Sequence, residues 1–176
     1  MKLECRGISV ECVKGDIASQ VDLEAVVNAA NAELLPGGGV AGALHRAAGP
    51  GLEKEGRQLA LLKPGQAVIT GGHNLPNRFV IHCLGPVYGI DKPEKILLAD
   101  CYRNALKLAE QHQISSIAFP SISTGIFGYP MAEAATIAFK TVGEMLPFLK
   151  RVKLIRFVLY DAEALQLHAE IMNGIL

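Results

Sequence analysis

The stretch from Val26 to His45 constrains the fold of this chain more than any other part of the sequence. It reads VVNAANAELLPGGGVAGALH: an apolar strand, two asparagines, a glycine-rich loop and the start of a helix. The N–H groups at a helix N-terminus point outward, the helix dipole favours negative charge, and glycines carry no Cβ that would block a phosphate. The stretch therefore predicts an anion-binding site at the end of a buried strand.

Asn28 and Asn31 follow the apolar run, and we expect both side chains to stand beside this anion site. An amide is an uncharged donor and acceptor, which suits a sugar hydroxyl better than a metal ion or a second phosphate. The pattern therefore predicts a phosphate-linked sugar, such as a nucleotide or a nucleotide sugar. It requires no metal and no cofactor.

Composition narrows the class of protein. A chain of 176 residues is expected to form one domain, residues 1–176, with an independent core. Equal numbers of basic and acidic residues, 17 of each, argue against a general nucleic-acid binder, although a single nucleotide needs only a local site. No apolar run is long enough to span a membrane, and the first residues lack the core of a secretion signal. We therefore expect a cytoplasmic protein without a membrane partner.

The four cysteines show no CxxC spacing; they are Cys5, Cys12, Cys83 and Cys101. Buried reduced thiols are therefore expected, rather than a zinc site or a redox motif.

Apolar segments alternate with segments of helical composition along the whole chain, which predicts a three-layer α/β/α domain. The six candidate strands are Ile8–Val13, Ala25–Ala29, Gln66–Thr70, Phe79–Leu84, Ser116–Phe119 and Leu154–Tyr160. The candidate helices are Gly42–Ala48, Leu52–Leu61, Ile96–Gln113, Met131–Leu149 and Ala162–Asn173.

A second glycine-containing loop, Ser121–Pro130, follows the candidate strand Ser116–Phe119. Ligands of such sheets sit at the carboxyl ends of the strands, so two loops at neighbouring strand ends could hold a diphosphate from both sides. Ser123 and Thr124 add hydroxyl donors, and Phe127 adds an apolar face beside a sugar or a ring.

Other nucleotide-binding and hydrolase motifs fit poorly. Gly37 to Gly42 matches GxGxxG, but Asn31–Pro36 makes the preceding turn too long for a Rossmann fold, and no acidic strand end follows at the required distance. The chain contains neither GxxxxGK[ST] nor GxSxG, which leaves a P-loop NTPase and an α/β-hydrolase unsupported.

Three residues near strand ends allow two interpretations each. Asp16 is either a turn or helix-capping residue or an acceptor for the amino group of adenine. Tyr160 is either a residue at the edge of the core or a ring that stacks on a base. His45 either bonds locally within the helix or faces the ligand.

Taken together and in this order, these motifs resemble the macro domain family, which binds ADP-ribose. The resemblance runs from Gly15–Ile17 through NAAN and the segment Gly37–Pro50, and continues through Val80–His82 and Gly85-Pro86. It closes with STGIFGYP at 123–130 and Phe157–Asp161. It implies a central mixed sheet, here of six strands, between helical layers.

The resemblance also implies roles for individual residues. Asp16, with Ile17 beside it, would bind the adenine amino group, and Tyr160 would pack against adenine. Asn31 would bind the distal ribose and, with Phe127, form the catalytic pair. The diphosphate and the distal ribose would be wrapped by Gly38, Gly39, Val40, Ser123, Thr124, Gly125, Ile126 and Phe127.

Macro domains include hydrolases of ADP-ribosyl esters, non-catalytic readers and phosphatases of ADP-ribose 1″-phosphate. The resemblance leads us to expect an ester hydrolase that acts on O-acetyl-ADP-ribose or on mono-ADP-ribosylated acidic side chains of proteins. Its partners would be ADP-ribose, its esters and ADP-ribosylated proteins. One hydrolase branch carries an aspartate after GGGV where this chain has Ala41, which keeps a non-catalytic reader as an alternative. A phosphatase of ADP-ribose 1″-phosphate is the third alternative, since that activity also occurs in the family.

Overall fold

The computed structural model describes all residues from Met1 to Leu176. Its strands are β1 (Lys2–Cys5), β2 (Ile8–Lys14), β3 (Ala25–Ala29), β4 (Ala67–Gly71), β5 (Phe79–Cys83), β6 (Ser116–Phe119) and β7 (Leu154–Leu159). Its helices are α1 (Gly39–Ala48), α2 (Pro50–Gly56), α3 (Glu94–Gln111), α4 (Met131–Met145) and α5 (Ala162–Ile175). Short 3₁₀ turns cover Ile17–Ser19 and Leu146–Phe148. None of the helices is both long and apolar enough to span a membrane.

The strands form one mixed sheet in the order β1-β2-β7-β6-β3-β5-β4. The inner strands run parallel, while β1 is antiparallel to β2 and β4 is antiparallel to β5. Helices α3, α4 and α5 cover one face, where the larger core cluster lies, and α1 and α2 cover the other. This arrangement confirms the predicted α/β/α layers and the mixed sheet.

The predicted count of six strands is wrong, because the N-terminal strand β1 makes the sheet seven-stranded. Cys5 pairs with Ile8, which leaves a two-residue loop of Arg6 (φ 54°) and Gly7 (φ 76°). Positive φ at both positions is typical of a tight hairpin turn whose twist matches the flanking strands. The strand escaped prediction because four residues are too few for an alternation to be recognised.

Two predicted helices are shorter than expected. Helix α2 begins at Pro50, whose fixed φ suits a first turn, and ends at Gly56 rather than at Leu61. Helix α4 ends at Met145 rather than at Leu149, because Pro147 has no N–H to continue the helical hydrogen bonds.

Strands β3 and β6 are neighbours only over their first residues. Strand β3 pairs with β5 along its whole length, Ala25–Ala29, but with β6 only at Ala25 and Val26. From β3 the chain continues toward one edge of the sheet, and from β6 toward the other. The diverging carboxyl ends of the two strands therefore open a crevice at the switch point of the topology.

The four cysteines are free, as predicted. Cys12, Cys83 and Cys101 are buried, and only Cys5 is half-buried. Burial raises the pKa of Cys12 and of Cys101 to about 12, so both thiols are neutral at physiological pH.

A buried histidine links three strands. Thr70 Oγ1 donates to the Gly71 carbonyl at 3.1 Å, so it accepts from His82 Nε2 at 2.9 Å. His82 Nδ1 then accepts from Asn28 Nδ2 at 3.1 Å. Burial lowers the pKa of His82 to about 3, which keeps this ring neutral.

This histidine makes stability sensitive to acid. The unfolded chain protonates His82 below its ordinary pKa of 6.5, whereas the folded chain resists protonation down to about pH 3. Its contribution is therefore complete above pH 6.5 and is lost as the pH falls through that window, by up to about 1.4 kcal/mol per pH unit. We expect His82→Gln to lower the free energy of unfolding at pH 7 and to flatten its acid dependence, measured by urea denaturation between pH 7 and pH 4.5. The exposed His112→Gln serves as control, and an unchanged acid slope in His82→Gln would contradict the assignment.

Candidate functional site

A cavity of about 450 Å³ lies in the crevice between the ends of β3 and β6. It is lined by Ala29, Ala30, Asn31, Gly37, Gly38, Gly39, Val40, Ala41, Gly85, Ser121, Ile122, Ser123, Gly125, Ile126 and Phe127. The lining comes from the loop after β3, the start of α1, the end of β5 and the loop after β6. Its volume is in the usual range for a small-molecule site.

The side chain of Asn31 shapes the first loop. Its Oδ1 accepts from the Leu35 N–H and its Nδ2 donates to the Leu35 carbonyl, both at 2.9 Å. A primary amide has two N–H donors, so one remains for a ligand in the cavity. Asn31 Nδ2 also borders Gly37, where an added Cβ would lie 3.5 Å from it.

Helix α1 begins directly against this loop. An added Cβ on Gly42 would collide with the Gly37 carbonyl oxygen, so only glycine allows the helix to approach so closely. The N–H groups of the first helical turn have no partner within the helix. Because Gly39, Val40 and Ala41 of that turn line the cavity, the helix N-terminus lies at the place where the sequence predicts an anion site.

The second loop holds Ser123 in a strained conformation. Ser123 has φ 66°, its carbonyl accepts from the Tyr129 N–H at 2.9 Å, and its buried Oγ has no hydrogen-bond partner. Gly85, at the end of β5, packs directly against this hydroxyl, because an added Cβ there would collide with Ser123 Oγ. Backbone strain of this kind is concentrated at binding sites.

Phe127 lines the same cavity as Asn31. Its ring packs against the small core cluster of Ala30 and Leu34, and its carbonyl accepts from the Tyr88 N–H at 2.9 Å. The structure thus brings the predicted pair, Asn31 and Phe127, into one cavity. Gly38, Gly39, Val40, Ser123, Gly125 and Ile126 lie there too.

The remaining predicted residues lie outside the cavity lining. Thr124 Oγ1 is turned toward the Ser121 carbonyl, to which it donates at 2.9 Å. Ile17 is buried in the smaller core. Asp16 follows β2 and Tyr160, which is 91% exposed, follows β7, so both stand at the same edge of the sheet as the cavity.

Asp16 also acts as a helix cap, which is one of the two roles that the sequence allows for it. Its Oδ1 accepts from the Ala18 N–H at 2.9 Å, and its Oδ2 accepts from Ser19 Oγ at 3.3 Å. A carboxylate has about four lone-pair positions, so the exposed Asp16 retains acceptor capacity toward solvent.

The expectation that Asn28 stands beside the anion site is wrong. Successive residues of a strand point to opposite faces, and Asn28 is 99% buried, with 1% of its surface exposed, against His82. The Asn28 side chain therefore lies in the interior, and of the two asparagines only Asn31 lines the cavity.

His45 of α1 is not part of the cavity lining. It is buried, both of its ring nitrogens lack hydrogen-bond partners, and burial lowers its pKa. It lies one helical turn after Ala41, beneath the residue that does line the cavity.

Six wall residues had no individual role in the sequence prediction, although each lies in or beside a predicted motif. They are Ala29, Ala30, Gly37, Gly85, Ser121 and Ile122. Five lie inside or beside the two loops, whereas Gly85 follows β5. No group of three or more His, Cys, Asp or Glu side chains is arranged to hold a metal ion.

Known proteins share this architecture. Residues 27–138 match the sequence model of the Macro domain. The chain belongs to the macro domain family. The matched residues include both loops of the cavity, whereas Asp16 and Tyr160 lie outside them.

Individual relatives extend the comparison over nearly the whole macro domain. An O-acetyl-ADP-ribose deacetylase of Cronobacter sakazakii is 46% identical over 169 residues, 93% of each chain. The structure of the Oceanobacillus iheyensis macrodomain with ADP has a TM-score of 0.94 at 41% identity and covers 99% of this chain and 95% of that one. The Trypanosoma brucei macrodomain in complex with ADP-ribose has a TM-score of 0.85 at 33% identity, over 92% and 68% of the two chains.

The contact between Gly42 and Gly37 gives a test of the first loop. Replacing a glycine inside a helix with alanine normally stabilises a protein by about 0.5–1 kcal/mol. We expect Gly42→Ala to destabilise this macro domain instead, because the new Cβ displaces the glycine loop. Gly174→Ala, in α5 with no atom within 4 Å of the new Cβ, is the matched control. Thermal denaturation compares the two, and equal stabilisation by both changes would show that the loop yields without cost.

Proposed function

We propose that this macro domain binds ADP-ribose in the cavity and hydrolyses ester-linked ADP-ribose. The supporting observation is that two backbone-lined loops, Asn31 and Phe127 together line one cavity. The likeness to a protein named O-acetyl-ADP-ribose deacetylase, at 46% identity, supports the same activity. O-acetyl-ADP-ribose and mono-ADP-ribosylated acidic side chains of proteins are the proposed substrates.

The cavity suits the charged half of ADP-ribose. The diphosphate would lie between the N-terminus of α1 and the loop Ser121–Phe127, where unpaired backbone N–H groups bind anions without a counter-charge. The distal ribose would lie between Asn31 and the ring of Phe127. Adenine would extend along the sheet edge toward Asp16 and Tyr160, which follow the carboxyl ends of β2 and β7.

The chemistry proposed for the ester requires a water held near the distal ribose. Attack of this water on the acyl carbon gives a tetrahedral oxyanion, and collapse breaks the bond between the acyl carbon and the ribose oxygen. The ribose oxygen takes up the proton that the water loses, which yields ADP-ribose and the free acid. Loop N–H groups and the spare N–H of Asn31 would position the ribose and stabilise the oxyanion, while the bound diphosphate helps to hold the water.

A reader without catalysis is the second candidate, and Ala41 is the observation that favours it. Ala41 lines the cavity but offers no carboxylate, and neither does any other residue of the lining. The cavity would therefore bind and orient ADP-ribose, but it has no side chain that could act as a general base. Hydrolysis in this chain would depend on the diphosphate of the substrate itself.

Asn31→Ala tests both binding and catalysis. We expect the wild type to bind ADP-ribose by isothermal titration and to release acetate from O-acetyl-ADP-ribose. Asn31→Ala should lower kcat about tenfold or more, because it removes a positioned donor and also frees the loop at Leu35. The exposed Asn173→Ala in α5 should leave kcat unchanged. Binding without acetate release by the wild type would assign the protein as a reader, and unchanged turnover in Asn31→Ala would remove Asn31 from the mechanism.

Ala41→Asp tests the missing base. A positioned general base contributes about 10²–10⁴-fold to a rate, so we expect this carboxylate to raise kcat for O-acetyl-ADP-ribose about tenfold or more. Ala47→Asp adds the same charge to the exposed side of α1 and should leave kcat unchanged. A rate in Ala41→Asp no higher than in wild type would show that the diphosphate alone suffices to hold the water.

A further inference from the structure

The loop that carries Asp16 is hydrogen-bonded to buried polar side chains beneath it. Gln20, at the end of this loop, is only 8% exposed, although glutamine is usually a surface residue. Its role bears on the proposed function, since Asp16 is the residue expected to meet the adenine base.

Gln20 connects directly to the backbone of Asp16. Its Nε2 donates to the Asp16 carbonyl oxygen at 2.7 Å. Its own main-chain carbonyl accepts from the buried Asn77 Nδ2, also at 2.7 Å. Both ends of Gln20 are therefore fixed, and the carbonyl of Asp16 is tied to the interior while its carboxylate stays outside.

Arg156 in β7 fixes the other side of the Gln20 amide. Arg156 Nη1 donates to Gln20 Oε1 at 3.0 Å, and the two Nη atoms bind the Asp22 carboxylate at 2.8 Å each. Arg156 Nε donates to Glu11 Oε1 at 2.7 Å. These pairs raise the pKa of Arg156 above its ordinary range. A planar guanidinium with this many acceptors has one geometry available, so it sets the orientation of the Gln20 amide.

The fixed position of this loop affects base recognition, because purine bases differ in where they carry an N–H donor. Adenine carries an N–H donor on its exocyclic amino group, whereas a 6-oxopurine carries an oxygen there and its N–H on the adjacent ring nitrogen. A carboxylate only accepts hydrogen bonds, so a mobile Asp16 could follow the donor from one base to the other. A carboxylate fixed opposite the amino group would instead meet the oxygen of the 6-oxopurine and disfavour it.

We propose that Gln20 is a positioning residue for base specificity: by tying the Asp16 backbone to Arg156, it makes the cleft select adenine over 6-oxopurines. Gln20 touches no ligand and acts through Asp16. Arg156 supports it by orienting its amide. The inference rests on the proposed binding of ADP-ribose.

The test compares two ligands that differ only in the base. Titration calorimetry gives the Kd of ADP-ribose and of its hypoxanthine analogue, inosine diphosphate ribose, for the wild type and for Gln20→Met. The hypoxanthine analogue would lose the hydrogen bond to the Asp16 carboxylate. Loss of a hydrogen bond to a charged group raises Kd about tenfold or more, and this is the preference for ADP-ribose that we expect of the wild type. Gln20→Met has the length of glutamine but no donor, and we expect it to lower this preference about threefold or more.

Two further variants separate positioning from general stability. Gln58→Met makes the same chemical change at an exposed position and should keep the wild-type preference. Arg156→Lys cannot hold Gln20, Asp22 and Glu11 at once, so it should lower the preference in the same direction as Gln20→Met. If Gln20→Met does not fold, Arg156→Lys provides the test instead.

The outcomes distinguish this inference from the proposed function. A selective loss of preference, with the hypoxanthine analogue bound as tightly as before or more tightly, supports the positioning role. Equal weakening of both ligands in Gln20→Met and Arg156→Lys would overturn it and leave ADP-ribose binding intact. Failure of the wild type to bind either ligand would overturn the proposed function, and this inference with it.

Discussion

The incomplete pairing of β3 with β6 is the constraint on which the cleft depends. The two strands share hydrogen bonds only at Ala25 and Val26 of β3, whereas β3 and β5 stay paired to Ala29. Because both strands run parallel, their carboxyl ends separate at one edge of the sheet, and the chain leaves this point in opposite directions. A fully paired ladder would bring the loops after β3 and β6 together and close the crevice between them.

Local contacts then give each loop its shape. The Asn31 amide closes the turn to Leu35, Gly42 allows α1 to approach Gly37, and Gly85 makes room for the hydroxyl of Ser123. These contacts are made by the loops themselves, so the cleft is preformed before any ligand arrives. The entropy of ordering the loops belongs to folding rather than to binding, which favours affinity for a ligand.

Much of this could be read from the sequence, for identifiable physical reasons. The apolar runs that form β3, β5 and β6 are buried on both faces, and the glycine loops follow two of these strands directly in the sequence. Strand β1 was missed because its hairpin depends on the conformation of Arg6 and Gly7 rather than on a hydrophobic pattern. Asn28 was misplaced because a motif gives the spacing of residues but not the face of the strand on which each one lies. Gln20 and Arg156 are distant in sequence, and only the fold shows that they meet.

The walls of the cavity consist largely of main chain and of residues with small side chains. Few single substitutions can change the shape of such walls without disturbing the fold. Two side chains are free to vary because they are almost fully exposed: Ile126 of the lining, at 99%, and Tyr160 at the same edge of the sheet, at 91%. Divergence between related proteins, and the selectivity of compounds that distinguish them, should therefore be concentrated at the entrance rather than in the interior.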